Sequence, residues 1–404
     1  MPLDHWSNLS SGEMLVLESV FWSKAASRHE VATRLHLSKS KANALIADLL
    51  AQGLLQETGP GPASTGRPAE TLCLSNALGI LLVIDIGATC MSIAALTPSL
   101  LVLAQCREDV DVRDAQQGPT VVLARIKVLA LRLLEQCGKR AKDVLAIGIG
   151  VPGPVNFENA QMVSPPLMPG WGDFSIRDFM RDSFEAPVFV DNDVNIQAIG
   201  ELRQQQGTSN FLVLKVGTGI GCGIVCDGKI FRGATGSAGD VGHICVDTSG
   251  PHCHCGNTGC LETMAARPAV ERQAWEAMER EDSQVLRRHA GEQGMLTLAA
   301  VGAASREGDM EANRIIQRAG SLVGQMLASV VNFFNPSHVF LTGSVVTVGP
   351  LFLASVRQSV YQRSLALSTR NLHVQYSSLG DAAGLTGAGV LAMQEFLKSR
   401  RLHR

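Results

Sequence analysis

The sequence predicts an α/β protein of two lobes with a small helical unit ahead of them. Four apolar runs end in glycine or acidic turns: GILLVIDIGAT (79 to 89), DVLAIGIGVPGP (143 to 154), APVFVDND (186 to 193) and NFLVLKVGTGIG (210 to 221). Helical segments at 115 to 137, 194 to 206 and 310 to 334 separate these runs, and that alternation is the mark of an α/β architecture. Two strand units ending in Asp or Gly recur about 130 residues apart, as a duplicated two-lobed fold gives.

Residues 12 to 24 carry apolar side chains at helical spacing. Ser27 is placed to cap a short second helix containing Val31, Ala32 and Leu35, and a turn follows at Leu37. Ser38 reads as the N-cap of a third helix with Ala42, Leu45, Ile46, Leu49 and Leu50 on one face and Gly53 as its stop. Strands are expected at 54 to 58 and 70 to 74, joined by the loop GPGPASTGRP. This order, over residues 1 to 77, is that of a winged helix-turn-helix. Its exposed face would offer Ser38, Lys39, Ser40, Lys41 and Asn43 to phosphates and base edges of double-stranded DNA, and Arg67 in the wing to a minor groove. The plainer alternative is that Lys39 and Lys41 are only a solvated helix face.

Composition narrows the partners. A net charge of -2 provides no global positive field, so any DNA contact must come from a few local charges. The longest apolar stretch, 77 to 84, is broken by Asp85 and falls far short of the roughly 18 residues of a membrane span. The N-terminus has acids and no basic region of a secretory signal, so a cytoplasmic protein without a membrane partner is expected.

Beyond residue 77 the chemistry gathers in three places. The loops Asp85-Ile86-Gly87-Ala88-Thr89 and Gly217-Thr218-Gly219-Ile220-Gly221 can present backbone N–H groups and threonine hydroxyls to a phosphate, while a strand-end aspartate can orient magnesium or water. A plain turn of a hairpin would look the same. In Asp191-Asn192-Asp193-Val194-Asn195 an aspartate can act as general base on a substrate hydroxyl with Asn192 on the neighbouring one, or one residue can simply cap the helix that follows. Finally, His243 and the cluster Cys253, Cys255 and Cys260 supply one imidazole and three thiolates, a filled tetrahedral shell for structural Zn2+ with no position left for a catalytic water. His254 competes as a ligand, but it lies between two cysteines that would both face the metal, so His243 is preferred.

With these motifs the chain resembles the ROK family of sugar kinases and sugar-responsive repressors, over nearly its whole length. His243-x9-Cys253-x-Cys255-x4-Cys260 with Glu262 matches the family's zinc signature, and GIGVPGPV (148 to 155), Asn192-Asp193 and Asp85-x-Gly87-x-Thr89 match its other motifs. The N-terminal unit with Thr65-Gly66-Arg67-Pro68 is similar to the repressor branch. The resemblance implies an actin-like, two-lobed sugar kinase fold, that is, a duplicated ribonuclease H-like fold, over 78 to 404. The lobe boundary would fall near 191, and a C-terminal helix at 384 to 400 would return to the first lobe. It implies sugar contacts by Asn192, Asp193, Asp240, His243 and Glu262, with His243 serving metal and sugar through its two ring nitrogens. Asp193 would be the base if the protein is a kinase, and Asp85, Gly87, Thr89, Thr218, Gly219 and Gly221 would hold ATP/Mg2+ in that case.

Departures decide between the branches. Gly87-Ala88-Thr89-Cys90 stands where kinases have Gly-Gly-Thr-Lys, adding a methyl group and removing a cation. Asp240 replaces a glutamate, and Thr342-Gly343-Ser344 replaces a glycine run. These changes weigh against nucleotide binding and leave the sugar contacts. The expected protein is a homodimeric or tetrameric DNA-binding regulator that senses a sugar, most simply a repressor. An ATP-dependent sugar kinase with an appended DNA-binding unit is the alternative, and a module whose N-terminal unit binds protein is a third.

Overall fold

The computed structural model describes residues 6, 9–23, 26–60, 70–163, 165, 168–205, 207–291 and 294–402. Side-chain caps start the first three helices. Ser10 opens α1 (Ser11–Trp22) by accepting from the Glu13 amide while the Glu13 carboxylate accepts from the Ser10 amide, and Ser27 and Glu30 repeat this reciprocal cap at α2 (Arg28–Arg34). Ser38 caps α3 (Lys39–Ala51), which stops at Gln52 ahead of Gly53, whose φ of +70° suits glycine. Strands β1 (Ala26–Ser27), β2 (Leu55–Pro60) and β3 (Glu70–Leu74) form an antiparallel sheet of order β1-β3-β2 against these helices.

Two five-stranded sheets follow, built to one plan. The first comprises β4 (Ile80–Ile86), β5 (Cys90–Leu96), β6 (Val102–Asp109), β7 (Val144–Val151) and, beyond the hairpin of β8 (Val155–Asn156) and β9 (Gln161–Met162), β10 (Val188–Asn192). The second comprises β11 (Phe211–Val216), β12 (Ile220–Cys226), β13 (Lys229–Ile230), β14 (His338–Thr342) and β15 (His373–Tyr376). In each sheet the first strand pairs antiparallel with the second and parallel with the fourth, and the order is third-second-first-fourth-fifth. This repetition is the duplicated two-lobed fold expected from the sequence.

Helices α4 (Pro119–Gln136) and α5 (Ile176–Arg181) cover the outer face of the first sheet. The second sheet carries α7 (Leu261–Ala265), α8 (Arg267–Glu279), α9 (Gln284–His289), α10 (Leu298–Arg306), α11 (Met310–Phe334), α12 (Pro350–Arg363) and α13 (Ala366–Thr369). Between the sheets run α6 (Asp193–Gln204), against β11 and β12, and α14 (Ala383–Leu402), against β4 and β7. These two helices touch backbone to backbone: a Cβ on Gly387 would lie 1.6 Å from the Ile196 carbonyl oxygen. Only glycine permits that approach.

The hydrophobic core does not stop at residue 77. Trp6, Leu9, Val16 and Phe21 belong to one buried cluster with Leu81 and Val83 of β4 and with Val390, Met393 and Phe396 of α14. The Trp6 and Phe396 rings meet edge to face at 4.9 Å. No helix among the described residues is long and apolar enough to cross a membrane.

Candidate ligand cleft and metal centre

Both glycine loops are hairpin turns, as the plainer reading had it. The Gly87 amide donates to the Cys90 carbonyl across the β4–β5 turn, and the Gly217 amide donates to the Gly219 carbonyl across β11–β12. Both turns nevertheless face a single cleft of about 520 Å³, within the usual range for small-molecule sites. Its walls contain Asp85, Gly87, Thr89, Thr218, Gly219 and Gly221 together with Asn192, Asp193, Asp240, His243 and Glu262.

Local structure accounts for three of the four polar residues at 191 to 195. Asp191, 1% exposed, accepts from the Arg232 guanidinium at 2.6 and 3.0 Å, and its other oxygen accepts from the Asn192 amide and the Asn195 side chain. Asn192 caps α6 by accepting from the Val194 and Asn195 amides, and its side-chain N–H donates to the Gly153 carbonyl at 2.9 Å. One N–H of Asn192 is left over for a ligand. Asp193 also lines the cleft, and there the Lys215 ammonium on β11 donates to its carboxylate.

Lys215, Gln197 and Arg107 are cleft residues that the sequence reading missed. A lone lysine in the apolar run Phe211–Val216 was the available signal, since a charge in a strand core needs a partner. Burial works against the charged form of Lys215, but the Asp193 and Asp85 carboxylates outweigh it and hold its pKa above the usual lysine value. Burial pushes the Asp85 carboxyl up to about 6, with Asp193 adding to the shift and Lys215 and Arg107 opposing it. Among the described residues Asp85 Oδ1 and Gln197 Oε1 have no hydrogen-bond partner. Both residues line the polar cleft, so two unmet acceptors lie just behind its wall. The cation expected to be lost at Cys90 is partly restored from the neighbouring strand, because the Arg107 guanidinium donates to Cys90 Sγ at 3.2 Å and also lines the cleft.

At the cleft's edge the donor atoms of His243, Cys253, Cys255 and Cys260 lie within 4.8 Å of one another, and His254 is not among them. Cys255 Sγ and Cys260 Sγ are 3.7 Å apart. That matches the edge of about 3.8 Å of a tetrahedron of sulfurs bound to zinc at about 2.3 Å, so the residues present fit the metal. A hydrogen bond from the Asn257 backbone pulls the Cys255 thiol down to about 7, towards the thiolate that metal binding requires. His243 Nδ1 faces Cys253 Sγ at 3.4 Å, and Nε2 faces Asp240 Oδ1 at 3.8 Å, so the two ring nitrogens look opposite ways. Glu262 accepts from the Ile220 amide at 2.9 Å, which ties the helix after the cysteines to the second glycine turn.

On the N-terminal unit, Ser38, Lys39, Ser40, Lys41 and Asn43 are all exposed. The Ser38 hydroxyl already accepts from the Lys41 amide at 3.3 Å, so it serves the helix first. Arg67 lies outside the described residues.

The fold and site define a class: a two-lobed α/β protein with a polar ligand cleft beside a Cys3His cluster and a three-helix N-terminal unit packed against it. Residues 81–395 match the model of the ROK family, and the chain belongs to that family. It is 28% identical to a xylose repressor of Caldicellulosiruptor bescii, over 95% of this chain and 96% of that protein. It is 30% identical to a glucokinase of Halalkalibacterium halodurans, over 77% of this chain and 94% of the relative. The crystal structure of a ROK family transcriptional regulator, a homologue of the Escherichia coli MLC protein, superposes with a TM-score of 0.77 at 26% identity, covering 97% of this chain and 98% of that one.

Proposed function

We propose that this protein is a DNA-binding transcriptional repressor released by a sugar held in the cleft. The observation that carries the reading is the course of α6. It starts at Asp193 in the cleft and ends near Arg203, whose guanidinium donates to the Phe21 carbonyl at the end of α1 and lies 4.6 Å over the Phe21 ring. A ligand that moves the start of α6 therefore acts directly on the helices that would read DNA. The relatives that span the N-terminal unit support this, being named as regulators, whereas the glucokinase match leaves about a fifth of the chain uncovered.

In this reading α1 to α3 with β1 to β3 form a winged helix, α3 enters a major groove through Lys39, Ser40, Lys41 and Asn43, and Arg67 reaches the adjacent minor groove. Asp193, Asp240, His243, Glu262 and the free N–H of Asn192 hold sugar hydroxyls. Zn2+ bound by His243, Cys253, Cys255 and Cys260 would supply a fixed tetrahedral cross-link, while His243 Nε2 stays turned towards Asp240 and the sugar. Two copies bind two half-sites as a homodimer.

The test is to select genomic fragments with the purified protein and titrate the complex with a panel of pentoses, hexoses, amino sugars and their 6-phosphates. At least one sugar should weaken DNA binding about 5- to 150-fold, the span of ordinary allosteric coupling. Unchanged affinity across the panel rejects sugar sensing.

A further inference from the structure

We infer that Lys215 is a resident cation that closes the cleft to a metal nucleotide and reserves it for an uncharged polyol. Its ammonium donates to Asp193 Oδ2 and lies within electrostatic reach of Asp85, the two carboxylates that a divalent ion would share. Magnesium demands several oxygen ligands at about 2.1 Å in a near-octahedral shell. Here one of those oxygens already carries a hydrogen-bonded ammonium, and a second cation entering beside it meets like charge in a partly buried site. The carboxylates and loops alone would suggest a kinase centre, and the lysine between them fills the place of its metal.

The occupancy also states what the cleft accepts. The cleft wall already holds an ammonium hydrogen-bonded to a carboxylate, and sugar hydroxyls can donate and accept there without adding charge. Asp193, held by Lys215, keeps carboxylate lone pairs that can accept from a sugar hydroxyl. Gly384 completes the enclosure, because a Cβ there would lie 1.9 Å from Asp85 Oδ2, so α14 presses on the carboxylate and leaves no room for an ion's water shell on that side. This inference deepens the sugar-sensor reading, on which it rests for the identity of the cleft.

The probe is Mn2+, followed by electron paramagnetic resonance with and without ATP, on the full-length protein and its variants. The wild type and Lys215→Arg should take up neither Mn2+ nor Mn2+–ATP in the cleft. Lys215→Ala should bind Mn2+ at least tenfold more tightly than the wild type, and adding Asp193→Asn should abolish that gain. Lys215→Gln, which keeps most of the side chain and removes its charge, is the second variant should the alanine protein fail to fold. Tight Mn2+–ATP binding by the wild type overturns the inference, most clearly if Lys215→Ala or Lys215→Gln weakens it, since the lysine would then be a phosphate ligand. Equal Mn2+ affinity in wild type and variants overturns it as well. DNA binding by the same wild-type preparation tests the repressor reading separately.

Discussion

Arg203, at the far end of α6, holds Phe21 twice, donating to its carbonyl and covering its ring from 182 residues away in sequence. Burial drops the Arg203 pKa to about 10, which still leaves the guanidinium charged at neutral pH. Arg203→Met keeps the apolar stem and removes the donors. DNA binding without sugar should survive, while the sugar-dependent change, measured by fluorescence anisotropy, should fall towards unity. A full sugar response in this variant would remove α6 as the connection between cleft and reading head.

The Cys3His cluster should hold about one zinc per chain by elemental analysis. Cys260→Ser and strong chelation should each release the metal and lower Tm, because the loop from Asp240 to Glu262 has little regular structure of its own. His243→Ala should lose metal and sugar affinity together. Loss of metal with sugar affinity intact would show that the histidine serves the zinc alone.

Asp85 sets a pH dependence. Its folded pKa, about 6, is above its ordinary 3.8, so the folded state holds the proton more tightly than the unfolded chain. Stability from this group is therefore full below about pH 4 and is lost as pH rises through 6, a loss on the order of 3 kcal/mol at about 1.4 kcal/mol per unit. Asp85→Asn abolishes the titration. In urea melts its stability relative to wild type should rise between pH 4 and pH 8 by about 2–3 kcal/mol. A constant difference would contradict the burial of the carboxylate beside Asp193 and Lys215.

Lys39 and Lys41 flank the start of α3 in solvent. Replacing either by Ala should weaken DNA binding about equally on all sequences and reduce the magnitude of the salt slope by about one. Asn43→Ala should instead relax base preference. An unchanged salt slope in Lys39→Ala plus Lys41→Ala would favour a protein partner for this unit.

Much of the fold was legible because it is locally encoded. Ser27 and Ser38 announced helix starts, Gly53 a stop, and the spacing of Cys253, Cys255 and Cys260 a converging donor set. Within the polar run at 191 to 195, Asn195 donates to Asp191, and Asp191 also accepts from Arg232, a partner 41 residues on that no local pattern announces. In the sequence Lys215 is one charge in an apolar strand and Arg203 a basic residue in the last turn of α6, and neither position marks a role. Their roles depend on contacts to Asp193 and Phe21 that only the assembled fold creates.

The edge-to-face contact of Trp6 with Phe396 bears on how the molecule is made. During synthesis the first helices leave the ribosome long before α14, yet their buried face is completed by α14. The N-terminal unit therefore reaches its final packing only once α14 has been made. A polypeptide interrupted before about residue 383 would carry the start of α3 and still lack the surface against which Trp6 and α1 are buried.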